Sequence, residues 1–395
     1  MKTIYLDNNA TTMLDPLVLE AMLPFFCERY GNPSSMHSFG GNVAKEVRKA
    51  RGKLADLLGV SPSTIVFNSG GTESDSTAIL SGIATMQDRR EIVTSRVEHP
   101  AVLNLCKHLG RDKGYSIRWI SVDKQGIIDL DEVRSKITSQ TAIVSIMWAN
   151  NETGVIYPVE KIAELAHERG ALMHVDAVQA VGKIPMKLDA TAIDFLSLSS
   201  HKIHGPKGIG ALYVRKGTRF HPFIIGGHQE ADRRGGTENV PGIVGLGEAA
   251  RLAKEHLGDY GTRVKQLRDR LQHGVLAQVP SARVNGHADH RLPNTLNIGF
   301  EYVEGEAILM RMDSAGICAS SGSACTSGSL EPSHVLRAMG VPFTAVHGSI
   351  RYSLSRFTTK EEIDYTVDET AKIIQLLRSM SPFGRENLAS VCTVH

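Results

Sequence analysis

Four polar clusters in this 395-residue chain hold groups able to do covalent or acid–base chemistry. Ser199-Ser200-His201-Lys202-Ile203-His204-Gly205-Pro206-Lys207-Gly208 follows the strand-like Phe195 to Leu198. A lysine there is open to two readings: a solvated surface cation, or a partly buried amine of lowered pKa that forms Schiff bases. His174-Val175-Asp176-Ala177-Val178-Gln179 puts a carboxylate at the end of an apolar run. Burying an unpaired charge is costly, so Asp176 needs a partner. A protonated pyridine nitrogen would serve, and a cap or a structural ion pair would explain the residue equally well. Asn68-Ser69-Gly70-Gly71-Thr72-Glu73-Ser74 lies between a strand and an apparent helix, where free N–H groups, a hydroxyl and the helix dipole could hold a phosphate. Taken alone, that segment reads as an ordinary glycine turn with Thr72 or Ser74 as a helix cap.

The fourth cluster surrounds Cys325, in Ala319-Ser320-Ser321-Gly322-Ser323-Ala324-Cys325-Thr326-Ser327-Gly328-Ser329. A lone cysteine is usually a small buried hydrophobe. Here the neighbours offer almost no core-forming side chains and much backbone freedom, which predicts a mobile exposed loop over 319–330. Of the five cysteines, Cys27, Cys106 and Cys318 sit in helix- or strand-like apolar contexts and Cys392 in the tail, so those four read as structural. Their odd number and sparseness argue against a disulfide framework and for a reducing compartment. None forms a C-x-x-C pair, and no metal site is expected.

The elements that must position these groups alternate. Strand-like runs at Ile65 to Phe67, Ile92 to Thr94, Ile117 to Ser121, Ala142 to Trp148, Ala171 to Val175 and Phe195 to Leu198 are mostly separated by helical patterns. Runs such as Ile143-Val144-Ser145-Ile146-Met147 lack clean alternation, as strands buried on both faces of a mainly parallel sheet do. Helices are predicted from a capped start at Asp15-Pro16 through Leu17, Ala21, Met22 and Phe25, and from Val43 to Leu57 with a stop at Gly59. After about Gly258 the texture changes to a charged helix (Val264 to Val275), a strand at Thr295 to Phe300, a helical Glu304 to Met312, a strand at Ser349 to Leu354, and a final helix with a Thr358/Glu361 capping box. The expected organisation is α/β. Residues 15–258 would form a large domain with a mainly parallel sheet and helices on both faces, and residues 1–14 with 259–395 a smaller α+β domain.

Composition narrows the function classes. Hydrophobic residues make up 42% and charged residues 22%, values of an ordinary globular protein rather than a disordered or fibrous one. A formal net charge of +2 and the lack of a basic stripe exclude a nucleic-acid footprint. The N-terminus has no apolar leader pattern and no stretch is long enough to span a bilayer, so a cytoplasmic location is expected.

Asp176, then Ser199-x-His201-Lys202 and Gly205-Pro206-Lys207-Gly208, resemble the class V branch of fold-type I pyridoxal-phosphate enzymes. More narrowly, the chain resembles the cysteine desulfurases of the NifS/IscS group. Matching segments run from Tyr5-Leu6-Asp7-Asn8-Asn9-Ala10-Thr11-Thr12 through Ser349-Ile350-Arg351 to the final helix. The resemblance implies pyridoxal 5'-phosphate as cofactor. Lys202 would link to it covalently, Asp176 would pair with its pyridinium nitrogen and Gln179 would hydrogen-bond its ring hydroxyl oxygen. Gly71, Thr72, Ser199 and His201 would hold its phosphate, with Thr237 contributed by the second subunit of a homodimer. His99, in Val97-Glu98-His99-Pro100, would stack on the ring and assist proton transfer; by itself it reads as a cap before a Pro-started helix. Asn151, which would also contact the cofactor, and Arg351 would receive the carboxylate of L-cysteine, and Cys325 would capture its sulfur as a persulfide. The sulfur would pass to an iron–sulfur scaffold or another acceptor.

Selenocysteine lyase, or another class V β-elimination or transamination, shares the cofactor residues. An adaptor with little activity of its own would have lost one, and none is lost. Gly226-Gly227-His228-Gln229-Glu230 and Ser327 to His334 look nearest to the nitrogen-fixation branch of the family.

Overall fold

The computed structural model describes residues 3–321 and 332–380. Its strands are β1 (Ile4–Tyr5), β2 (Ile65–Asn68), β3 (Glu91–Ser95), β4 (Ser116–Ile120), β5 (Thr141–Ser145), β6 (Leu172–Asp176), β7 (Phe195–Ser199), β8 (Gly210–Val214), β9 (Ala282–Val284), β10 (Thr295–Phe300), β11 (Ile317–Cys318) and β12 (Ser349–Ser353). Seven of them form one sheet in the order β2-β8-β7-β6-β5-β3-β4. The run from β4 to β7 is parallel throughout, and only β8 runs against its neighbours β7 and β2. Every residue of β5, β7 and β8 is buried, as strands covered by helices on both faces must be. The architecture is the α/β class expected.

Some elements depart from the sequence reading. β8 was not anticipated: its five residues follow a Gly- and Pro-rich turn with no helical spacer, the cue that precedes most of the other strands of the large sheet. β5 ends at Ser145 rather than Trp148, although the Ile146 and Trp148 N–H groups still donate to the His174 and Asp176 carbonyl oxygens of β6. The first helical pattern is two short helices, Pro16–Met22 and Pro24–Cys27, divided at Pro24, which has no N–H to continue the first. The second of these turns only Phe25 inward, so Cys27 is exposed and not the buried hydrophobe expected. The capping box of the last helix, Lys360–Met380, lies one residue later than Thr358/Glu361. Thr359 N–H donates to the Glu362 carboxylate at 3.1 Å and Glu362 N–H returns to Thr359 Oγ1 at 3.3 Å. Thr358 Oγ1 instead accepts from Ser355 N–H.

Other predictions hold in detail. Asp15 accepts the Leu17 N–H at 2.8 Å and starts its helix. The helix Ser38–Leu58 ends at Gly59, whose φ of 67° suits only a residue without a Cβ penalty.

A second apolar core is built by β10 and β12, the helices Lys265–Gln278, Gly305–Ser314 and Lys360–Met380, and Ile4 and Leu6 from the N-terminus. β9, β10 and β12 make an antiparallel sheet, and β1 pairs in parallel with β11. Val335, Leu336, Met339 and Val346 pack with the main core, so the chain returns to the large sheet before β12. Among the described residues no helix is long and apolar enough to cross a membrane.

Candidate active site

Because β2, β3, β5, β6 and β7 point the same way, the residues just past their carboxyl ends share one edge of the sheet. That edge is where an open α/β sheet binds ligands. Gly71 and Thr72 follow β2, His99 follows β3, Asn151 follows β5, Asp176 ends β6, Ser199 ends β7, and Ser200 to Lys202 follow it.

Lys202 ends a single 3-10 turn, and its Nζ donates to the carbonyl oxygens of Asn9 at 2.5 Å and Ala10 at 2.7 Å. The N-terminal segment therefore caps the site. Thr12 N–H and Oγ1 both donate to the His201 carbonyl oxygen at 2.9 Å, and His201 Nδ1 lies 3.1 Å from Thr11 Oγ1. Burial, with Lys202, Lys207 and Lys183 nearby, lowers the His201 pKa to about 4, so its ring is neutral.

Asp176 is 6% exposed and accepts the Val178 N–H at 2.9 Å. Burial, helped by Asp75, raises its pKa to about 6. Behind it His174 touches Ser145 Oγ at 2.8 Å and Ser197 Oγ at 2.9 Å, and lies 3.4 Å from Asp75. Burial pushes His174 down to about 4 and Asp75 up to about 7. Burial thus disfavours the charged form of each group, and a cation beside Asp176 would favour its carboxylate.

His99 proves to be the cap its sequence suggested. Its Nδ1 accepts the Ala101 N–H at 3.2 Å, at the start of the helix Pro100–Lys113. With Nδ1 used as acceptor, the neutral ring carries its proton on Nε2. Burial keeps its pKa low, opposed by the charge of Asp176 and aided by Lys202 and His334.

The glycine turn fits tightly against these groups. A Cβ on Gly71 would lie 2.8 Å from Val178 Cγ2, so glycine lets the turn approach the loop after Asp176 this closely. Thr72 stands exposed in the first helical turn, and Ser199 is buried. Neither Thr72 nor Ser74 is the N-cap, a position held by Gly70; Ser74 instead bonds Asn68 and the Ala211 carbonyl. Thr237 is exposed beside a small cavity lined by Asn68, Ser69 and Asn239, and none of Thr72, Ser199 or His201 lines that cavity.

Arg351, 2% exposed on β12, donates through Nη2 to Asp7 at 2.7 Å and through Nη1 to the Asn151 carbonyl at 3.1 Å. Its buried Nε has no protein partner among the described residues. Asn9 Nδ2 also donates to the Asn151 carbonyl, at 3.2 Å. Cys325 and Cys392 lie outside the described residues. The chain on either side of 322–331 is fixed near Arg351 and Asn151: Ser320 pairs with the Arg351 backbone, and Ser333 Oγ donates to Glu152 at 2.5 Å.

Sequence reasoning missed Asp7, Asn9, Asp75, His174 and Lys183. Asn8-Asn9-Ala10-Thr11-Thr12 is a polar run with neither helical nor strand period, a signal available in the sequence. Lys183 gave none, because a single lysine after a glycine looks like a surface residue.

The family described as aminotransferase class V matches residues 4–366. The chain belongs to that family. It is 57% identical over 386 residues to a cysteine desulfurase of Nostoc sp., covering 98% of this chain and 96% of that relative. It is 54% identical to the cysteine desulfurase NifS of Azotobacter vinelandii, with the same coverage of 98% and 96%. A solved structure described as a NifS-like protein superposes with a TM-score of 0.89 at 40% identity, covering 95% of this chain and all of that one.

Pyridoxal 5'-phosphate is the cofactor of this family, and the residues fit it. Asp176 is a buried carboxylate whose charged form a pyridinium nitrogen would stabilise. Lys202 supplies an amine at the same strand edge, and the Gly70-Gly71 turn leaves backbone space and a helix N-terminus for a phosphate.

Proposed function

We propose that this chain is a pyridoxal-phosphate-dependent cysteine desulfurase that converts L-cysteine to L-alanine and keeps the sulfur as a persulfide on Cys325. The observation that carries the reading is the convergence of Lys202, Asp176, Gln179 and His99 on one strand edge, in a chain 57% identical to a cysteine desulfurase. In this reading residues 15–258 carry the cofactor, and residues 1–14 with 259–395 form the smaller unit that brings Arg351 and Cys325 to it.

Bound to Lys202, the cofactor would supply an electron sink for charge developing at the substrate Cα. Asp176 keeps the proton on the ring nitrogen that makes the sink effective, and Gln179 donates to the ring oxygen. Thr72, Ser199 and His201 hold the phosphate, joined by Thr237 from the partner subunit. Arg351 and Asn151 receive the substrate carboxylate, for which a planar guanidinium fork is suited. Lys202 Nζ would take the Cα proton, while His99 Nε2–H would donate within the site. The Cys325 thiolate would attack the substrate sulfur; the Cβ–S bond breaks with its electron pair left on carbon, an S–S bond forms, and protonation of that carbon, followed by return of a proton from Lys202 Nζ to Cα, gives L-alanine.

A homodimer is supported by an unusual surface. Leu17 (52%), Leu23 (57%), Phe26 (56%), Tyr30 (71%) and Met36 (103%) are exposed on and after the first two helices, and Ile225 (85%) near Thr237. The enzyme acts in the cytoplasm and hands its sulfur to an iron–sulfur scaffold or another acceptor; the Azotobacter relative supports a nitrogen-fixation setting. The test is to supply L-cysteine and, separately, selenocysteine. Alanine formed from cysteine at the higher kcat/KM supports the assignment, whereas turnover confined to selenocysteine would replace it with a selenocysteine lyase.

A further inference from the structure

Lys183 is the most deeply buried lysine near the site, 3% exposed, and the mechanism above gives it no task. Gln179 and Lys183 are four residues apart on a helix-like turn after β6, so their side chains lie on one face. Lys183 Nζ donates to Gln179 Oε1 at 2.8 Å and to Asn9 Oδ1 at 3.4 Å. An amine donates to both oxygens whether it is charged or neutral. Gln179 Nε2, at the other end of the amide, donates to the Asn9 carbonyl at 2.9 Å, the same oxygen that accepts from Lys202 Nζ at 2.5 Å.

We propose that Lys183 is a positioning residue that fixes the Gln179 amide with its N–H face, not its oxygen, beside the Lys202 amine. This rests on the proposed function. The ring oxygen of pyridoxal phosphate is attached next to the carbon that joins the lysine, so a group beside Lys202 Nζ also faces that oxygen. A donor there stabilises the oxygen as an anion; a reversed amide would set oxygen against oxygen. Without Lys183, Gln179 Oε1 would be a buried acceptor with nothing to hold it, and only the bond from Nε2 to the Asn9 carbonyl would oppose reversal of the amide.

The surroundings favour an uncharged partner. Burial, with Lys202 and Arg351 close by, holds the Lys183 amine well below its ordinary value. His204, His256, Tyr260 and Arg356 share a small cavity with Lys183 and Lys202, and they supply no carboxylate.

The experiment is a pH titration of the visible absorbance of the holoenzyme, with pyridoxal phosphate content and melting temperature measured alongside. A Lys183→Met variant loses the donor but keeps the volume, and its titration midpoint should rise by about 1 unit, because the proton on the cofactor–lysine linkage is held more tightly beside a poorly stabilised oxygen. In a Gln179→Leu background the same substitution should add no further rise. An unmoved midpoint in Lys183→Met, or an equal rise with and without Gln179, would overturn the inference. Lys183→Gln, which retains a donor, should stay close to the parent and serves as the test should the Met variant not fold; a rise of about 1 unit in it would likewise overturn the inference. Absence of any visible band in the parent protein would instead count against the proposed function.

Discussion

Arg351 and Asp7, 344 residues apart in sequence, form a direct ion pair in which the guanidinium donates to the carboxylate at 2.7 Å. The pair ties the N-terminal segment, whose carbonyl oxygens hold Lys202, to β12 of the smaller sheet. It leaves Arg351 Nε buried and without a partner among the described residues. Arg351→Lys keeps a charge but loses the fork. Its KM for L-cysteine should rise by about 10–100-fold, the worth of a charge-assisted hydrogen bond, with the cofactor absorbance unchanged. An unchanged KM would remove Arg351 from substrate binding.

His99 has two separable tasks. As N-cap it accepts the Ala101 N–H, and as a neutral ring it presents Nε2–H. His99→Ala should lose both, lowering stability by about 1 kcal/mol and cutting kcat. Asparagine is a good N-cap, so His99→Asn should keep the melting temperature while kcat falls by about 10²–10⁴-fold. Retained activity in the Asn variant would reduce His99 to a cap.

Asp176 gives a pH signature. Burial raises its carboxyl from 3.8 to about 6 in the cofactor-free protein, so the folded state binds this proton more tightly than the unfolded chain. The resulting cost to stability is absent at pH values below the ordinary carboxylate pKa, grows as pH rises toward about 6, and is constant above. Asp176→Asn removes it. The melting temperature of the variant minus that of the parent, both without cofactor, should therefore climb between about pH 4 and 6 and level off beyond. A difference independent of pH would contradict the burial argument. The same variant should lose alanine formation, since the ring nitrogen no longer keeps its proton.

How far the sequence disclosed this architecture depended on whether a residue's role was local. Asp15, Gly59 and His99 were legible because a cap or a helix stop is set by a few neighbours. The buried strands were legible because their apolar runs are continuous, while β8 escaped because it lacks a preceding helix. The capping box was placed one residue early because Thr358 and Thr359 offer the same chemistry, and only the fold decides which faces Glu362. Lys202, Asp176 and Gln179 were found through their position after strands and through family resemblance. Asp7, Asn9 and Lys183 were not, because their partners lie far off in sequence or are backbone oxygens, which no side-chain pattern records.

The most direct test of the account is to give L-cysteine to the holoenzyme and to its Cys325→Ala variant, following L-alanine release and the mass of the protein. The parent should release alanine and gain one sulfur atom on the peptide that contains Cys325. The variant should keep the visible absorbance contributed through Lys202 yet release no alanine. Alanine release by the variant at the parent's rate would contradict the claim that this thiol takes the sulfur.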